Sequence, residues 1–323
     1  MNKKQYYTLR EANSVEILSL IDNSLDFLSS IDKEQVQNVR KWTKEKKQSD
    51  FSRLLLAEHG FSMLIRVFSD TSAHSILFDT GSSPEGVIVN AERMGVNLSD
   101  IEAIVLSHGH PDHSGGLLSV VKAVKKPGLP IIVHEDMFKT RGIVNTDGTI
   151  RRHEALPLDD KVKPARYVRT KQPYLLADNT IFVTGEIPSQ TSFEKGLSQH
   201  RALIDGKWEP EPWLRDDRAI VINLRQKGLI VLSGCGHAGI VNTVLFAKQI
   251  TGIDEVYAVM GGFHLAGKEP ESRISQTVGE LKRLNPKLIA PSHCTGWRGI
   301  YAIYQAMPQA FMWNSVGNLY RFQ

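Results

Sequence analysis

Three histidines and one aspartate lie within six residues of a chain that is 323 residues long. They occupy residues 108–113, which read His-Gly-His-Pro-Asp-His and directly follow the apolar run 101–106. The glycine and the proline favour a tight turn over a helix, so that the polar side chains can surround one point. Imidazole nitrogens bind zinc, iron and manganese, and a carboxylate adds a hard oxygen ligand. The sequence therefore predicts a metal site whose ligands are His108, His110, Asp112 and His113.

Further side chains that can bind a metal follow three later apolar runs of strand length, at 229–232, 255–260 and 288–290. The segments after these runs contain Cys235, His237, His264, His293 and Cys294. Metal binding would convert Cys235 to a thiolate, whereas without a metal it is a small buried core residue. His237 and His264 are each a ligand, a proton shuttle or a histidine packed beside the site.

The elements that must position these residues alternate between strands and helices. Predicted strands include residues 62–68, 75–78, 101–106, 180–183 and 219–224, and predicted helices include 84–95, 116–124, 240–250 and 272–284. The region between residues 133 and 180 contains three prolines and is predicted to be rich in loops. Residues 30–50 are polar, charged and rich in helix formers, which indicates an exposed helix or an insertion. No linker divides the chain, so we predict one α/β domain over residues 1–323.

The composition excludes several classes of protein. Hydrophobic residues make up 41% of the chain and charged residues 23%, which is ordinary for a globular protein. Two cysteines are too few for a disulfide framework or a cysteine-built zinc finger. The first residues lack the apolar core of a signal peptide, and the longest uncharged stretch, 229–247, is too broken for a membrane helix. We therefore expect a soluble, cytoplasmic protein without a membrane partner.

The charge pattern gives an expectation about the ligand. The net charge is only +4, and a surface that binds nucleic acid would need its positive charges on one face. No appended basic arm is visible, so nucleic acid is not an expected partner. The basic stretch 141–171 lies in the middle of the chain and is predicted to hold an anionic small-molecule substrate.

Two other sequence motifs are typical of other functions, but each lacks a residue that its function needs. The sequence Asp-Thr-Gly at 79–81 is typical of an aspartic protease, but that mechanism needs a second carboxylate and no second copy exists. Residues 234–239 have the form G-x-G-x-x-G, which is typical of dinucleotide binding, yet the next strand ends in two glycines instead of an acidic residue. The helix that begins after Gly239 is still expected to receive a substrate phosphate at its N-terminus.

The pattern His-x-His-x-Asp-His resembles the signature of the metallo-β-lactamase superfamily. Residues 78–81 (Phe-Asp-Thr-Gly), 233–237 (Ser-Gly-Cys-Gly-His), 261–265 (Gly-Gly-Phe-His-Leu) and 293–296 (His-Cys-Thr-Gly) narrow the resemblance to one branch. That branch contains the 7,8-dihydropterin-6-methyl-4-(β-D-ribofuranosyl)aminobenzene-5′-phosphate synthases. The resemblance runs from about residue 15 to residue 320, and it implies the four-layer αββα sandwich of the superfamily.

The same resemblance implies a centre of two divalent metal ions, zinc first and manganese or iron as alternatives. His108 and His110 would bind one metal, and Asp112 and His113 the other. The resemblance implies three further roles. Cys235 would replace an aspartate that bridges both metals, and His293 would be the last metal-binding histidine. Asp79 would be a buried residue that holds the ligands in place.

One turn departs from the superfamily pattern. Most members supply a histidine in a Gly-His-Thr turn midway along the chain, and here residues 184–188 read Thr-Gly-Glu-Ile-Pro. Either Glu186 replaces that ligand, or His237 or His264 supplies it. Cys294 is expected to lie near the site, but the resemblance assigns it no contact. The remaining histidines are not expected to be ligands: His59, His74, His134, His153 and His200.

The resemblance implies a metal-dependent hydrolase or transferase that acts on a phosphorylated or pyrophosphate-bearing small molecule of the pterin type. Asp112, His237 and His264 are the predicted catalytic residues, with either histidine protonating the leaving group. In the synthase branch a pyrophosphate would leave the pterin, and an aminobenzene ribosyl phosphate would be the acceptor. An iron oxidoreductase on the same fold, or a binding protein without catalysis, are the alternative functions.

Overall fold

Two large β-sheets and one small sheet form the frame of the molecule. The structure, a computed structural model, describes residues 7–31, 33–41 and 54–323. The strands are β1 (Glu11–Ala12), β2 (Ser14–Ile21), β3 (Val36–Gln37), β4 (Ser62–Phe68), β5 (Ala73–Phe78), β6 (Ala103–Val105), β7 (Pro130–Val133), β8 (Arg141–Val144), β9 (Ile150–His153), β10 (Arg166–Arg169), β11 (Tyr174–Leu176), β12 (Ile181–Val183), β13 (His200–Ile204), β14 (Lys207–Pro210), β15 (Ala219–Leu224), β16 (Gly228–Ser233), β17 (Val256–Gly262), β18 (Leu288–Ser292) and β19 (Leu319–Phe322).

The helices lie between strands of the two large sheets. They are α1 (Gly86–Met94), α2 (Pro111–Ser114), α3 (Leu117–Val124), α4 (Ile240–Thr251), α5 (Lys268–Glu271), α6 (Ile274–Leu284) and α7 (Gly296–Ala306). The longest of them, α4, has 12 residues. Within the described residues no helix is long and apolar enough to cross a bilayer.

The strand order shows how the sheets are built. The first large sheet has the order β10-β7-β6-β5-β4-β2-β19-β3, and the second has the order β11-β12-β15-β16-β17-β18 with β1 beside β15. The small sheet has the order β14-β13-β8-β9 and is antiparallel throughout. Both large sheets therefore combine the first and the second half of the chain, which fits the prediction of one domain.

Alternating side chains assign each face of the large sheets to a different core. In β15, Ile220 and Ile222 join a core that also contains Ile65 and Val105 of the first sheet, so the two sheets pack face to face. Val221, between those isoleucines, packs in a core with α4, α6 and α7. The opposite face of the first sheet packs against α1 and α3. The result is the predicted order of layers, helices–sheet–sheet–helices.

The parallel strands bring the candidate ligands to one edge of the molecule. β5 and β6 are parallel in the first sheet, and β16, β17 and β18 are parallel in the second. The carboxyl ends of parallel strands meet at the same edge, where open α/β sheets bind their ligands. Except for Glu186, which follows β12, every predicted ligand lies within eight residues of the end of β6, β16, β17 or β18. The frame thus places the chemistry in loops held by a rigid scaffold.

Most predicted elements are confirmed, and the region between residues 133 and 180 is the main error. The strands predicted at 62–68 and 219–224 have those bounds in the structure. The supposed loop region contains four strands, β8 to β11. β8, β9 and β10 have four residues each and contain one or two arginines, so none of them shows an apolar run or a sustained alternation. Within the predicted insertion 30–50, β3 pairs with β19, while residues 42–50 lie outside the described part.

Candidate metal centre

The carboxylate of Asp79 organises the buried side of the site. Asp79 directly follows β5, is fully buried, and has a left-handed backbone with φ of 61°. Its Oδ1 accepts a hydrogen bond from the backbone N–H of Ser107 at 2.6 Å, and its Oδ2 accepts one from the Ser107 hydroxyl at 2.7 Å. The same Oδ2 lies 2.7 Å from Nδ1 of His113. One carboxylate therefore fixes the start of the histidine-rich turn and the ring of His113 together.

Hydrogen bonds at the Nδ1 atoms determine which ring nitrogen faces the site. The Ser107 hydroxyl donates to Asp79, so it accepts from Nδ1 of His108 at 2.9 Å. Nδ1 of His293 lies 2.9 Å from the side-chain oxygen of Asn23, an atom that can only accept. In His108, His113 and His293 the proton therefore sits on Nδ1, and the lone pair of Nε2 points away from these partners.

The inward nitrogens meet in two close pairs. Nε2 of His108 lies 3.2 Å from Nε2 of His237, and Nε2 of His113 lies 3.2 Å from Nε2 of His293. Facing lone pairs at this distance repel each other unless a proton or a cation lies between them. Divalent metal ions accept electron pairs from such nitrogens, so this arrangement suits a metal.

Four groups of three side chains have ligand atoms within 4.8 Å of one another in the described part of the chain. These groups are His108–Cys235–His237, His113–Cys235–His293, Cys235–His264–Cys294 and His59–Asp112–His293. Cys235 belongs to three of the four groups, so its sulfur lies between the two pairs of imidazoles. The bridging role that the resemblance implies for Cys235 stays a prediction.

Burial keeps several of these imidazoles neutral, which is the protonation state that binds a metal. Desolvation lowers the pKa of His108 and of His237 well below the usual value. The same cause lowers the pKa of His293 to about 4 and that of His264 to about 3. At pH 7 these side chains have lone pairs ready for a metal and need lose no proton.

Asp112 carries a negative charge at the site, and His113 lies next to it. Burial alone would raise the pKa of Asp112, but His113 and His293 lower it below its usual range, so the carboxylate is ionised. Burial opposes a charge on His113, yet the carboxylates of Asp79 and Asp112 raise its pKa. Oδ2 of Asp112 lies 3.2 Å from Nε2 of His293. An oxygen, nitrogens and a thiol thus converge, and this donor set fits zinc or iron and tolerates manganese.

The outer support of His293 comes from the segment that follows β2. Asp22 Oδ1 accepts the backbone N–H of His293 at 2.9 Å, and the side-chain amide of Asn314 donates to Asp22 Oδ2 at 2.7 Å. Burial raises the pKa of Asp22 to about 6. Asn23 then bonds the ring of His293, as described above. Such contacts orient a ligand and are a normal part of metal sites.

Gly234 lies where the two large sheets touch behind the site. A Cβ atom at this position would lie 2.2 Å from Oγ of Ser107 and 2.7 Å from Oδ2 of Asp79. Those atoms are buried and hydrogen-bonded to each other, so they cannot move aside without breaking the network. Only glycine therefore lets the loop of Cys235 approach the turn of His108.

We expect Gly234→Ala to lower the free energy of unfolding by about 1–3 kcal/mol, because the added methyl overpacks a buried network. Gly279→Ala is the matched control, since Gly279 lies on an exposed turn of α6 with no atom within 4 Å of the new Cβ. That control should gain up to about 1 kcal/mol from better helix propensity. Urea unfolding measures both values, and equal stability of the two variants would contradict the close approach at Gly234.

The loop that presents His237 is supported by two buried carboxylates that the sequence analysis did not single out. Asp217 Oδ2 accepts the backbone N–H of Ala238 at 2.8 Å, and burial raises the pKa of Asp217 to about 7. Glu194 accepts the backbone N–H groups of Val241 and Asn242 at 2.9 and 2.8 Å. The N-terminus of α4 is thus capped by Glu194, and the expectation that it receives a substrate phosphate is wrong.

The small sheet adds two histidines that the sequence analysis did not expect near the site. The ring centre of His110 lies 5.2 Å from that of His153 in β9 and 5.5 Å from that of His200 in β13. His200 is buried, and its Nδ1 has no hydrogen-bond partner among the described residues. His110 itself belongs to none of the four ligand groups, although its ring centre lies 4.9 Å from that of His237. No local motif marks His153 or His200, since strand pairing alone brings them here.

Two other predicted contacts are made elsewhere. Glu186 lies 3.1 Å from Nε2 of His134 and joins none of the four ligand groups of the described residues, so the histidine alternative, His237, fits the missing ligand better. Arg141, in the basic stretch predicted to hold the substrate, is buried against Asp216 at 2.7 Å and Glu211 at 2.6 Å. Its charge is paired inside the protein and is therefore not offered to a ligand.

The fold and this arrangement of ligands define the class of protein. The family model described as the metallo-beta-lactamase superfamily matches residues 56–293. The chain belongs to the metallo-β-lactamase superfamily, and both the resemblance and the predicted fold are confirmed.

One curated relative and two solved structures give more specific comparisons than the family model. The 7,8-dihydropterin-6-methyl-4-(β-D-ribofuranosyl)-aminobenzene-5′-phosphate synthase of Methanocaldococcus jannaschii is 32% identical over 301 residues, which are 89% of this chain and 98% of that protein. The crystal structure of Tm1679, described as a metal-dependent hydrolase of the β-lactamase superfamily, has a TM-score of 0.71 and 22% identity, covering 96% of this chain and 98% of its own. YhfI of Bacillus subtilis, a metallo-β-lactamase fold protein, has a TM-score of 0.52 and 13% identity over 96% of this chain and all of its own. The synthase supports an enzyme, and the two solved structures support the fold.

Proposed function

We propose that this chain is a metal-dependent group transferase or hydrolase with a dinuclear centre, acting on an anionic pterin-type substrate that carries a phosphate or pyrophosphate. One observation carries the proposal. The sulfur of Cys235 is shared by a group with His108 and His237 and a group with His113 and His293. Two sets of ligands around one shared donor are what two adjacent metal ions require.

The residues around the centre have different proposed roles. Divalent ions bound there would polarise a phosphoryl oxygen and lower the pKa of water to about 7. Asp79 holds the Nδ1 proton of His113, so that the opposite nitrogen stays free. Oδ2 of Asp112, ionised and partly exposed, is in position to accept a proton from the attacking group.

The open side of the centre is next to His59. This side chain is 71% exposed, and its Nε2 lies 3.6 Å from Oδ2 of Asp112. Its Nδ1 lies 3.2 Å from the side-chain nitrogen of Asn23, which orients the ring. A substrate that reaches Asp112 from solvent would therefore pass His59, and we propose that this imidazole contacts the substrate.

The choice of substrate class depends on the archaeal relative. That protein's name states a product in which a dihydropterin is joined to an aminobenzene ribosyl phosphate. Identity over nearly the full length of both chains supports the same class of reaction for this chain. The acceptor nitrogen would attack the carbon attached to the pterin ring, and pyrophosphate would leave with the bonding electron pair. His264 lies at the centre with its Nδ1 3.3 Å from Cys235 Sγ. Because burial lowers its pKa to about 3, we propose that its neutral imidazole donates a hydrogen bond to the leaving pyrophosphate and transfers no proton.

The direct test is incubation of the metal-loaded protein with the dihydropterin pyrophosphate and 4-(β-D-ribofuranosyl)aminobenzene 5′-phosphate. We expect mass spectrometry to show the coupled product together with one released pyrophosphate. Hydrolysis of the pyrophosphate ester without coupling would support the hydrolase form of the proposal. Absence of both reactions with metal bound would contradict the proposed substrate class.

A further inference from the structure

The chain has only two cysteines, and their sulfur atoms lie 3.0 Å apart at the candidate metal centre. The two residues are separated by 59 positions in the sequence. Cys235 comes two residues after the end of β16, and Cys294 comes two residues after the end of β18. The fold therefore creates this pair, and the sequence spacing alone gives no sign of it.

The strand between them leaves the space that the pair needs. β17 lies between β16 and β18, and its last residue is Gly262. A Cβ atom at Gly262 would lie 2.8 Å from Sγ of Cys294 and 3.1 Å from Cα of Cys235. Any side chain at this position would separate the two cysteines. Glycine instead allows the loops after β16 and β18 to meet across the strand that divides them.

The contact is close enough for a covalent bond to form with a small movement. A disulfide has a sulfur–sulfur distance of about 2.05 Å, so the two sulfurs must approach by about 1 Å. The thiol of Cys294 also donates a hydrogen bond to the backbone oxygen of Cys235 at 3.1 Å, which holds the side chain toward its partner. Both cysteines are unpaired thiols in the structure.

The two thiols differ in their access to solvent. Cys235 is buried with 3% of its surface exposed, whereas Cys294 is partly exposed. A small reagent that enters the site will therefore meet Cys294 first, and Cys235 will react only with a partner inside the protein. This order is the one that an intramolecular exchange reaction requires.

We propose that Cys235 and Cys294 form an oxidisable dithiol site that reacts with low-molecular-weight disulfides. The sulfur of Cys294 attacks one sulfur of the disulfide, which releases the first thiol and leaves a mixed disulfide. The sulfur of Cys235 then attacks the sulfur of Cys294, and the second thiol leaves. Two electrons pass from the pair to the reagent, and the two protons of the cysteines leave on the two released thiols.

The bond would remove Cys235 from both sets of metal ligands. A sulfur in a disulfide has lost its thiolate character and binds metals poorly. Since Cys235 is shared by both imidazole groups, one oxidation event would weaken both metal positions. By linkage, bound metal must in turn protect the pair from oxidation. This consequence depends on the proposed metal centre, while the disulfide itself does not.

The experiment uses the full-length protein with its metal bound, incubated with glutathione disulfide under argon. A chromogenic chelator follows metal release, and alkylation followed by peptide mapping identifies the state of each cysteine. We expect a cross-linked peptide that contains Cys235 and Cys294, with metal released in proportion to the cross-link until almost none stays bound. Reduction with dithiothreitol and addition of metal should restore the initial metal content.

Cys294→Ser is the matched variant, because it keeps Cys235 and cannot form the bond. It should retain its metal under the same oxidant. The inference is overturned if both cysteines of the unmodified chain stay open to alkylation, or if only a mixed disulfide with glutathione forms. A cross-link that forms without metal loss would confirm the dithiol site and would refute the role of Cys235 as a shared metal ligand in the proposed function. The peptide map of the unmodified chain decides the point even if the variant does not fold. Failure of the reduced protein to bind any metal would instead refute the proposed function, and the cross-link would remain testable.

Discussion

Replacement of both Asp112 and His113 by alanine is expected to abolish metal-dependent turnover. Two of the four ligand groups contain His293: His113 supplies an inward nitrogen to one of them, and Asp112 supplies an ionised oxygen to the other. Loss of an outer contact to a metal ligand already costs about 10–100-fold in affinity or activity, and this variant removes two proposed direct ligands. We therefore expect turnover to fall by more than about 100-fold and metal content to drop by about one ion per chain.

The control for this double variant is His74→Ala. His74 lies near the amino end of β5, at the opposite end of the strand from Asp79, where it pairs with Glu102 at 2.7 Å. Its removal should leave metal content and turnover unchanged, which separates loss of a ligand from loss of any histidine. Steady-state kinetics and elemental analysis of the same samples provide both readouts. Unchanged turnover in the double variant would contradict the assignment of Asp112 and His113.

Asp79→Ala is expected to weaken metal binding by about 10–100-fold, although Asp79 is not in any of the four ligand groups. Its carboxylate holds Nδ1 of His113 and both hydrogen-bond donors of Ser107. Without it, three buried donors lose their acceptor, and the imidazole of His113 loses its fixed orientation. The loss of this buried acceptor also lowers the free energy of unfolding, by about 1–3 kcal/mol for each donor left unpaired.

Asp79→Asn separates the two effects. Asparagine fills the same volume, so no cavity forms, but its nitrogen must face a donor of Ser107 or His113. We expect metal affinity to fall nearly as far as in the alanine variant, while stability falls less. Competition with a chromogenic chelator measures the affinity, and urea unfolding of the metal-free protein measures the stability. Metal affinity equal to that of the unmodified protein would show that Asp79 does not orient His113.

Elements with strong local patterns could be predicted from the sequence. Residues 62–68 and 219–224 are mostly apolar and mostly buried, and the predicted bounds of both strands are the observed ones. The strands between residues 133 and 180 are harder to predict, because β8, β9 and β10 are only four residues long and contain one or two arginines each. Their stability comes from pairing with partners distant in the sequence, such as β13 with β8, which no local pattern reveals.

The residues of the candidate site also differ in whether the local sequence predicts them. His108, His110, Asp112 and His113 are adjacent in the sequence, so their chemistry was visible at once. His200 and Asp217 became part of the surroundings only through tertiary packing, and the capping role of Glu194 depends on a loop that crosses to α4. The position of Glu186 in a turn makes it a candidate metal ligand, but its carboxylate lies beside the imidazole of His134 instead.

The measurement that tests the central claim most directly is the metal content per chain, determined by elemental analysis on protein purified under reducing conditions without added metal or chelator. The shared sulfur of Cys235 between two imidazole groups predicts two equivalents of zinc or manganese. Two equivalents of iron with visible absorbance would move the function toward redox chemistry at the same centre. A protein that contains no metal, and takes up none on titration, would contradict the metal centre.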